Sequence, residues 1–347
     1  MHPELDAFDY ALPPERIAQE PAPERDGARL LALERASGRI GHHGVRDLPA
    51  LLRTGDLLVV NATRVLPARL RGAKTSTGGA VEALLLGPAT GPGQHRALLK
   101  CSGRLRPGRK LRLGGLDAEV LSVGEGGEAL LSFPPGADPY AAGEAPLPPY
   151  IRRPAPRAED AERYQTVYAR SPGSVAAPTA GLHLSRRLLG ELARAGVEYA
   201  EVVLHVGPGT FRPLRAEDLA EGTLHPEGFE LPEATAAAVA RARERGGRVV
   251  AVGTTATRVL EERARAGRRV EAGRGETRLF LRPEPGSDAP RPFAVVDVLL
   301  TNFHLPRSSL LLLVAAFAGR RCILDAYAEA LRAGYRFYSY GDAMLIA

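Results

Sequence analysis

Cysteine, tryptophan, methionine and asparagine are scarce or absent in this sequence of 347 residues. The only cysteines, Cys101 and Cys322, are far apart and outside any CxxC spacing, which argues against a disulfide framework and against a thiolate metal cluster. Tryptophan is absent, methionine occurs twice, and Asn61 and Asn302 are the only asparagines. Because this pattern fits avoidance of heat-labile side chains, we expect the two asparagines to have specific roles.

Long apolar runs are also missing. The most apolar stretch, residues 308–319, has only about half of the roughly 20 residues that cross a bilayer, so it predicts a buried helix and not a membrane anchor. The first ten residues contain acidic side chains and no apolar h-region, which argues against a secretory signal. We therefore expect a cytoplasmic protein without membrane contact. A chain of this length can bury a core alone, and we expect a monomer.

Lysine is rare too, and it occurs only at Lys74, Lys100 and Lys110. The formal net charge of +6 and the pI near 9.5 therefore come almost wholly from arginine. The planar fork of arginine suits phosphate groups, and a basic protein attracts polyanions such as nucleic acid. The same bias also arises from genome composition, so charge alone leaves a nucleic-acid partner open.

Short extended segments separated by glycine turns fill residues 57–133. Because no helical pattern lies between them, they predict a small antiparallel β-barrel. The proline-rich residues 134–156 are interpreted as the exit from that barrel.

Beyond the barrel the pattern changes to strand, polar turn and helix, repeated three times. The strands are predicted at residues 197–206, 248–252 and 293–300, and Ser185 and Ser308 are predicted helix N-caps. This rhythm is typical of an α/β sheet covered on its faces.

The first sixty residues show a strand-like and then a helix-like pattern, and we expect them to pack with the α/β part. The predicted fold is an α/β main domain with an inserted small antiparallel β-barrel domain. Residues 1–62 plus 150–347 would form the α/β catalytic domain, and residues 63–149 would form the inserted barrel.

Ligands of open α/β sheets bind beyond the carboxyl ends of the strands, so the polar turns are predicted to line one cleft. Glycine allows close backbone approach there, and helix starts attract anionic groups. The small and polar residues of these turns include Thr179, Gly181, His183, Gly207, Gly209, Thr210, Thr254, Asn302 and His304.

Four histidines of these turns offer another interpretation. His183, His205, His225 and His304 could bind a metal ion, with Glu227 as a base, in a metal-dependent hydrolase. No pair has the HxxxH or HxH spacing that places two ligands on one element. We therefore expect no metal, and the hydrolase is kept as an alternative.

Two further segments carry side chains suited to RNA. Arginines that contact phosphate and tyrosines that stack on bases are typical of such surfaces, although tertiary ion pairs and core packing use the same residues. A noncatalytic RNA-binding protein is therefore a second alternative. The residues in question are Asn61, Arg64, Arg69, Arg71, Tyr164, Gln165 and Tyr168.

Several long blocks occur in one order along the chain: VVNATRVLPARLRG, PPYI, YQTVYA, AAPTAGLHLS, HVGPGTFRP, VGTTATR, LLTNFHLPRSSLLLLVAAFAG and YRFYSYGDAMLI. In order and spacing they resemble the S-adenosylmethionine:tRNA ribosyltransferase-isomerase family of queuosine biosynthesis. The quoted blocks lie between Val59 and Ile346, and the resemblance as a whole extends from near Asp9 to the C-terminus, so it covers essentially the whole chain.

The resemblance implies a cytoplasmic transferase with S-adenosylmethionine as co-substrate and tRNA as partner. Its substrate would be a tRNA that carries 7-aminomethyl-7-deazaguanine at the wobble position. The products would be epoxyqueuosine-tRNA, adenine and methionine. The same resemblance implies an α/β domain with an inserted β-barrel.

Such a reaction needs a base for a proton beside the sulfonium, an acid for the departing adenine, and a site that excludes water. His205 and His304 are the leading acid and base candidates because imidazole titrates near neutrality, and Asp342 is a third catalytic candidate. The expected cofactor-binding residues are Thr179, Gly181, His183, Gly207, Gly209, Thr210, Thr254 and Asn302. The expected tRNA-binding residues are Asn61, Arg64, Arg69, Arg71, Tyr164 and Gln165.

Overall fold

The computed structural model describes residues 3–153, 155–207, 209, 214 and 216–347. Its strands are β1 (Arg29–Leu33), β2 (Ile40–Gly44), β3 (Leu57–Asn61), β4 (Thr63–Val65), β5 (Arg69–Lys74), β6 (Ala80–Pro88), β7 (Gln94–Cys101), β8 (Lys110–Leu113), β9 (Leu116–Val123), β10 (Glu128–Ser132), β11 (Ser171–Ser174), β12 (Glu198–Leu204), β13 (Thr223–Leu231), β14 (Val249–Val252), β15 (Ala264–Arg265), β16 (Arg269–Val270), β17 (Gly273–Leu279), β18 (Val298–Asn302) and β19 (Ala343–Ile346). Its α-helices are α1 (Pro3–Asp6), α2 (Leu48–Leu51), α3 (Ala158–Arg163), α4 (Arg186–Arg194), α5 (Ala216–Glu221), α6 (Glu233–Glu244), α7 (Gly253–Glu262), α8 (Ser309–Ala318) and α9 (Arg320–Arg332).

A nine-stranded sheet forms the main body, in the order β17-β13-β12-β3-β14-β18-β19-β1-β2. The central strands β12, β3, β14 and β18 are parallel to their neighbours in this run. Strands β3, β14 and β18 are buried throughout, as their valine- and leucine-rich sequences predict for parallel strands covered on both faces. Strands β1 and β2 join the same sheet, so the first sixty residues pack with the α/β part as expected.

A closed six-stranded barrel, ordered β10-β7-β6-β5-β8-β9, follows β3 in the chain. Its closure requires Gly72, because a Cβ atom at that position would lie 1.7 Å from the backbone oxygen of Arg112 on the neighbouring strand. The predicted α/β domain with an inserted antiparallel barrel is therefore confirmed. The division at residues 62/63 and 149/150 stays a prediction, and β4 pairs with β11 outside the barrel.

The apolar stretch 308–319 forms the predicted buried helix, α8. The Ser308 hydroxyl accepts a hydrogen bond from the Leu311 N–H at 3.2 Å, and Gly319 with φ 92° ends the helix. Every residue from Leu311 to Ala318 is buried. Within the described ranges, no helix is long and apolar enough to cross a membrane.

The strand predicted at residues 293–300 begins later in the structure, where β18 spans Val298–Asn302. The Glu261 carboxylate accepts hydrogen bonds from the backbone N–H groups of Ala294, Val295 and Val296 at 2.7–2.9 Å. These three residues therefore satisfy their donors outside the sheet. The local sequence gives no sign of this because the carboxylate lies on α7.

Candidate active site

A cavity of about 750 Å³, including its mouth, opens beyond the carboxyl ends of β14 and β18. This is the edge of the sheet at which open α/β proteins bind ligands. The cavity is lined by Tyr150, Tyr164, Ala176, Ala177, Pro178, Thr179, Ala180, Val206, Gly253, Thr254, Thr255, Thr301, Asn302, Phe303, His304, Leu305, Ser308, Leu310, Tyr338 and Ser339.

None of the described lining residues is an acid, an arginine or a lysine. Polar contact must therefore come from hydroxyls, one amide, one imidazole and the backbone. The first turn of α7, at Gly253 to Thr255, and the N-cap of α8, Ser308, both lie on the wall. Free N–H groups of two helix starts favour the carboxylate of a ligand.

His304 is buried on the cavity wall, directly after β18. Its Nε2 lies 2.8 Å from the Thr301 hydroxyl, and its backbone N–H donates to the Tyr327 hydroxyl at 2.9 Å. The Tyr10 hydroxyl donates to its carbonyl oxygen. Burial lowers the pKa of His304 from 6.5 to about 3, so the imidazole is neutral at pH 7. The neutral ring has a lone pair that can accept a proton, but a pKa of about 3 makes it a weak base in the empty cavity, and it cannot serve as an imidazolium acid.

Asn302 is the last residue of β18 and is 2% exposed. Its Nδ2 donates to the Tyr338 carbonyl oxygen and to His183 Nε2, both at 3.0 Å. Its Oδ1 has no hydrogen-bond partner among the residues that the structure describes. The expectation of a specific role for this asparagine therefore has a structural basis.

His183 shares this arrangement but does not line the cavity wall described above. It is 5% exposed, and burial, followed by the charge of Arg336, lowers its pKa from 6.5 to about 4. The ring is therefore neutral at pH 7, and it contacts the Asn302 amide instead of facing the cavity.

The other predicted cofactor residues fall into two groups. Thr179 and Thr254 line the cavity. Gly181 is buried behind it, where a Cβ atom would lie 2.0 Å from the Tyr168 hydroxyl oxygen. Gly207 donates its N–H to Glu227 at 2.9 Å and is not among the described lining residues.

The last two predicted cofactor residues, Gly209 and Thr210, belong to the Gly-Pro-Gly-Thr turn. A Cβ atom on Gly209 would lie 2.9 Å from Cδ2 of His225, so glycine is needed there for packing. Thr210 lies outside the described residues.

The structure separates the predicted catalytic residues. His205 lies at the end of β12, where its Nδ1 is 2.9 Å from the Thr63 hydroxyl, and burial lowers its pKa. It is not among the described residues that line the cavity. Asp342 accepts hydrogen bonds from the backbone N–H groups of Arg29 at 2.9 Å and Arg336 at 2.8 Å. This carboxylate fixes the chain near β1 and lies outside the described wall, so the structure favours a structural role for it.

The cavity and its strands can now be compared with known proteins. The sequence model of a family described as "Queuosine biosynthesis protein" matches residues 5–346. The chain belongs to this family. The queuosine biosynthesis family was therefore identified correctly from the eight sequence blocks.

Individual members of the queuosine biosynthesis family match along their full length. The chain is 52% identical to the S-adenosylmethionine:tRNA ribosyltransferase-isomerase of Anaeromyxobacter dehalogenans, with 99% of both chains covered. It is 54% identical to the enzyme of that name from Acidithiobacillus ferrooxidans, over 98% of this chain and 97% of the relative. The crystal structure of the S-adenosylmethionine tRNA ribosyltransferase of Thermotoga maritima is similar, with a TM-score of 0.56 at 38% identity, over 98% of this chain and 100% of that one.

Three of the residues predicted to contact tRNA instead make contacts within the protein or line the cavity. Asn61 is 0% exposed, its Nδ2 donates to the Leu204 carbonyl at 3.0 Å, and its Oδ1 accepts from the Leu204 N–H at 3.0 Å. Gln165 pairs through its amide with both backbone groups of Val65 at 3.1 Å. Tyr164 is 1% exposed and lines the cavity. These placements do not support contacts to tRNA, because the groups are buried or already paired.

The three predicted arginines lie at the surface or beside an open hollow. Arg64 is exposed and donates to the Ala169 carbonyl at 2.7 Å. The hollow lies between the barrel and α3, and Arg69 and Arg71 line it together with Lys100. It is therefore the basic surface of this family member nearest to the predicted tRNA residues.

Three cavity residues were missed by the sequence reasoning. Tyr150 stacks on Tyr338 with ring centroids 4.7 Å apart, and its hydroxyl is 2.7 Å from that of Ser339. Tyr338 has φ 72°, which is strained for a tyrosine and is a recurrent feature of functional sites. The sequence blocks PPYI and YSYGD contain these residues. Tyr150 and Tyr338 could therefore have been selected as candidates because both lie in blocks on which the family resemblance rests.

Mild acid should destabilise this protein through His183 and His304. Their folded pKa values of about 4 and about 3 lie below the unfolded value of 6.5, so the unfolded chain binds more protons below pH 6.5. Stability is therefore lost as pH falls from 6.5 towards 4, by about 1.4 kcal/mol per pH unit for each histidine. Urea unfolding at pH 7 and pH 5 measures this loss. A His304→Gln variant with the same pH slope as the natural protein would contradict the assignment.

Proposed function

We propose that this chain transfers and isomerises the ribosyl moiety of S-adenosylmethionine onto a 7-aminomethyl-7-deazaguanine at the wobble position of tRNA. The products are epoxyqueuosine-tRNA, adenine and methionine. The observation that carries the proposal is the full-length match to relatives named S-adenosylmethionine:tRNA ribosyltransferase-isomerase. The cavity beyond β14 and β18 supports it with polar groups at the edge of the sheet where open α/β proteins bind ligands.

The proposed reaction balances in bonds and protons. At C1′, the bonds to adenine and to the ring oxygen break, and bonds form to the aminomethyl nitrogen and to C5′, which closes the carbocycle. At C5′, the bonds to the methionine sulfur and to one hydrogen break, and bonds form to C1′ and to the former ring oxygen, which makes the epoxide. The C5′ carbon and the amine each lose one proton, one of which protonates adenine while the other is released. The positive charge of the sulfonium disappears when methionine leaves as a thioether.

The cavity residues can hold the co-substrate without a charged side chain. The threonine hydroxyls of Thr179 and Thr254 can bind ribose or carboxylate groups, and the start of α7 favours a carboxylate. The tyrosine faces of Tyr150 and Tyr338 suit a sulfonium or an adenine ring. This combination fits a ligand that carries a carboxylate, a sulfonium and a nucleoside.

His304 is the proposed proton acceptor of the cavity. Its imidazole is neutral, and since Nε2 lies 2.8 Å from the Thr301 hydroxyl, Nδ1 is the proposed accepting atom. A bound co-substrate would displace water from the cavity around it, which would strengthen any interaction with the reacting atoms. The acid that protonates adenine is not assigned to His205 or Asp342, since neither is among the described residues that line the cavity.

We also propose that tRNA phosphates lie along the hollow between the barrel and α3. Arg71 on β5, Glu82 on β6 and Lys100 on β7 are cross-strand neighbours in one row of the barrel and line this hollow. The row places two cations on one outer face, on either side of Glu82, and Arg71 would exchange its ion pair with Glu144, at 3.3 Å, for a phosphate.

Replacing both Arg71 and Lys100 by alanine should weaken tRNA binding and leave the Kd for S-adenosylmethionine unchanged. Each lost phosphate contact is expected to reduce the slope of log K against log salt by about 1. Filter binding of the tRNA between low and moderate salt measures this slope. The double variant Arg265→Ala, Arg274→Ala is the control of matched charge, since neither residue lines the hollow. Equal slopes in the two variants would contradict the proposed surface.

The two alternatives are less well supported. The metal-dependent hydrolase needs converging histidines and a free base, but His183, His205 and His304 each contact a different polar side chain. Glu227 forms an ion pair with Arg258. A noncatalytic RNA-binding protein does not require the enclosed polar cavity beyond β18.

The proposal is tested by incubating the protein with S-adenosylmethionine and an anticodon stem-loop that carries 7-aminomethyl-7-deazaguanine. Free adenine and an epoxide-bearing RNA are the expected products. Binding of the stem-loop without release of adenine would contradict the function. A cytoplasmic location and a monomeric state remain part of the proposal, and sedimentation of the purified protein tests the second.

A further inference from the structure

The Asn302 side chain has a fixed orientation. The Tyr338 carbonyl oxygen can only accept a hydrogen bond, so the group 3.0 Å from it must be the Nδ2 amide nitrogen of Asn302. The second hydrogen on the same nitrogen is donated to His183 Nε2 at 3.0 Å. Both donors are therefore used, and the reversed amide would place two carbonyl oxygens against each other.

His183 completes this orientation because its Nε2 must accept. An accepting Nε2 requires the neutral ring with its proton on Nδ1. The ring is buried, and its Nε2 lies against the Asn302 amide at 3.0 Å. His183 therefore acts on the cavity through Asn302 and not by touching a ligand.

The remaining Oδ1 of Asn302 is a buried acceptor without a partner among the described residues. A buried carbonyl that lacks a hydrogen bond costs roughly 1–3 kcal/mol, and such groups in native proteins usually have a function. Asn302 belongs to the wall of a cavity that contains no described charged side chain. A ligand that supplies an N–H or O–H group would remove this cost.

We propose that Asn302 Oδ1 accepts a hydrogen bond from an N–H or O–H donor of S-adenosylmethionine, and that His183 is the positioning residue that holds this acceptor in place. The inference rests on the proposed function. The donors of this co-substrate are the adenine amino group, the two ribose hydroxyls and the α-ammonium group. Its sulfonium and its carboxylate carry no hydrogen to donate, so Asn302 does not bind them.

Four analogues of S-adenosylmethionine identify the donor: the N6,N6-dimethyl, 2′-deoxy, 3′-deoxy and deamino compounds. Calorimetry on the full chain measures the Kd of each. One analogue is expected to bind the natural protein at least about tenfold more weakly than S-adenosylmethionine, the effect of leaving the buried acceptor unpaired. If none of the four loses about tenfold, the acceptor is satisfied by water and the proposal is overturned.

An Asn302→Ala variant completes a double-mutant cycle, in which the ligand donor and the protein acceptor are removed separately and together. The analogue that loses affinity for the natural protein should bind this variant within about twofold of S-adenosylmethionine, because the acceptor is gone. The same ratio in the variant as in the natural protein would overturn the proposal. Asn302→Leu, which also lacks an acceptor, serves in the same way if the alanine variant does not fold.

The role of His183 is tested by rescue. His183→Gln keeps an acceptor near the position of Nε2 and should retain the discrimination between S-adenosylmethionine and the critical analogue. His183→Leu removes the acceptor, frees the amide to rotate and should reduce the discrimination at least about threefold. Equal discrimination in the two variants would remove His183 from this role. Because S-adenosylmethionine must still bind and react in the natural protein, failure of these ratios is distinct from failure of the proposed function.

Discussion

Replacing His304 by alanine should lower kcat for adenine release by at least about tenfold while the protein stays folded. The imidazole lies on the cavity wall with Nε2 held by Thr301, and burial keeps it neutral. Loss of a positioned acid or base usually costs a hundredfold or more, so tenfold is the lower bound. Single-turnover kinetics with saturating S-adenosylmethionine measures the change, and circular dichroism checks the fold.

The pH profile and a control separate catalysis from general damage. Because the pKa of His304 is about 3, the natural protein should show no ionisation of this group in kcat between pH 6 and pH 9. His42 is exposed, binds Glu329 at 3.1 Å and lies outside the described cavity wall, so His42→Ala should turn over at the natural rate. Natural turnover by His304→Ala would remove His304 from the mechanism.

Replacing Glu227 by leucine should destabilise the fold by about 3–5 kcal/mol, the usual cost of stranding a buried charge. Glu227 and Arg258 are 7% and 5% exposed and form an ion pair between β13 and α7. Glu227 also accepts the Gly207 N–H at 2.9 Å, and Arg258 donates to the Leu279 carbonyl at 3.1 Å. The single substitution leaves the guanidinium without its carboxylate in a buried place.

A double variant tests whether the stranded charge is the cause. Glu227→Leu combined with Arg258→Met removes both charges and should recover most of the lost stability, because well-packed apolar residues replace buried ion pairs at little cost. Urea unfolding at pH 7 gives the free energy of unfolding for all three proteins. A double variant that is no more stable than Glu227→Leu would contradict this explanation.

The sequence predicted the α/β sheet, the barrel and the edge that carries the cavity, because strand and turn patterns are local. Hydrophobic strands that end in polar turns place Asn302 and Thr254 at the same edge once the strands are parallel. The capping serines Ser185 and Ser308 were also recognised locally, and both accept the expected backbone hydrogen bond.

Long-range contacts could not be predicted in this way. His205 and His304 both follow strands, yet only His304 lines the described wall. The carboxylate of Asp342 accepts a hydrogen bond from the backbone N–H of Arg29, which is 313 residues away in the chain. Asn61 was correctly expected to have a specific role, but its amide joins β3 to β12 instead of reaching tRNA. Each outcome depends on which chain segments meet in space.

A crystal structure of the protein with bound S-adenosylmethionine tests the central claim most directly. We expect the co-substrate in the cavity beyond β14 and β18, within hydrogen-bond distance of Asn302 Oδ1 and in contact with His304 and Thr254. Binding of S-adenosylmethionine in the hollow beside Arg71 and Lys100, with the cavity empty, would contradict the account.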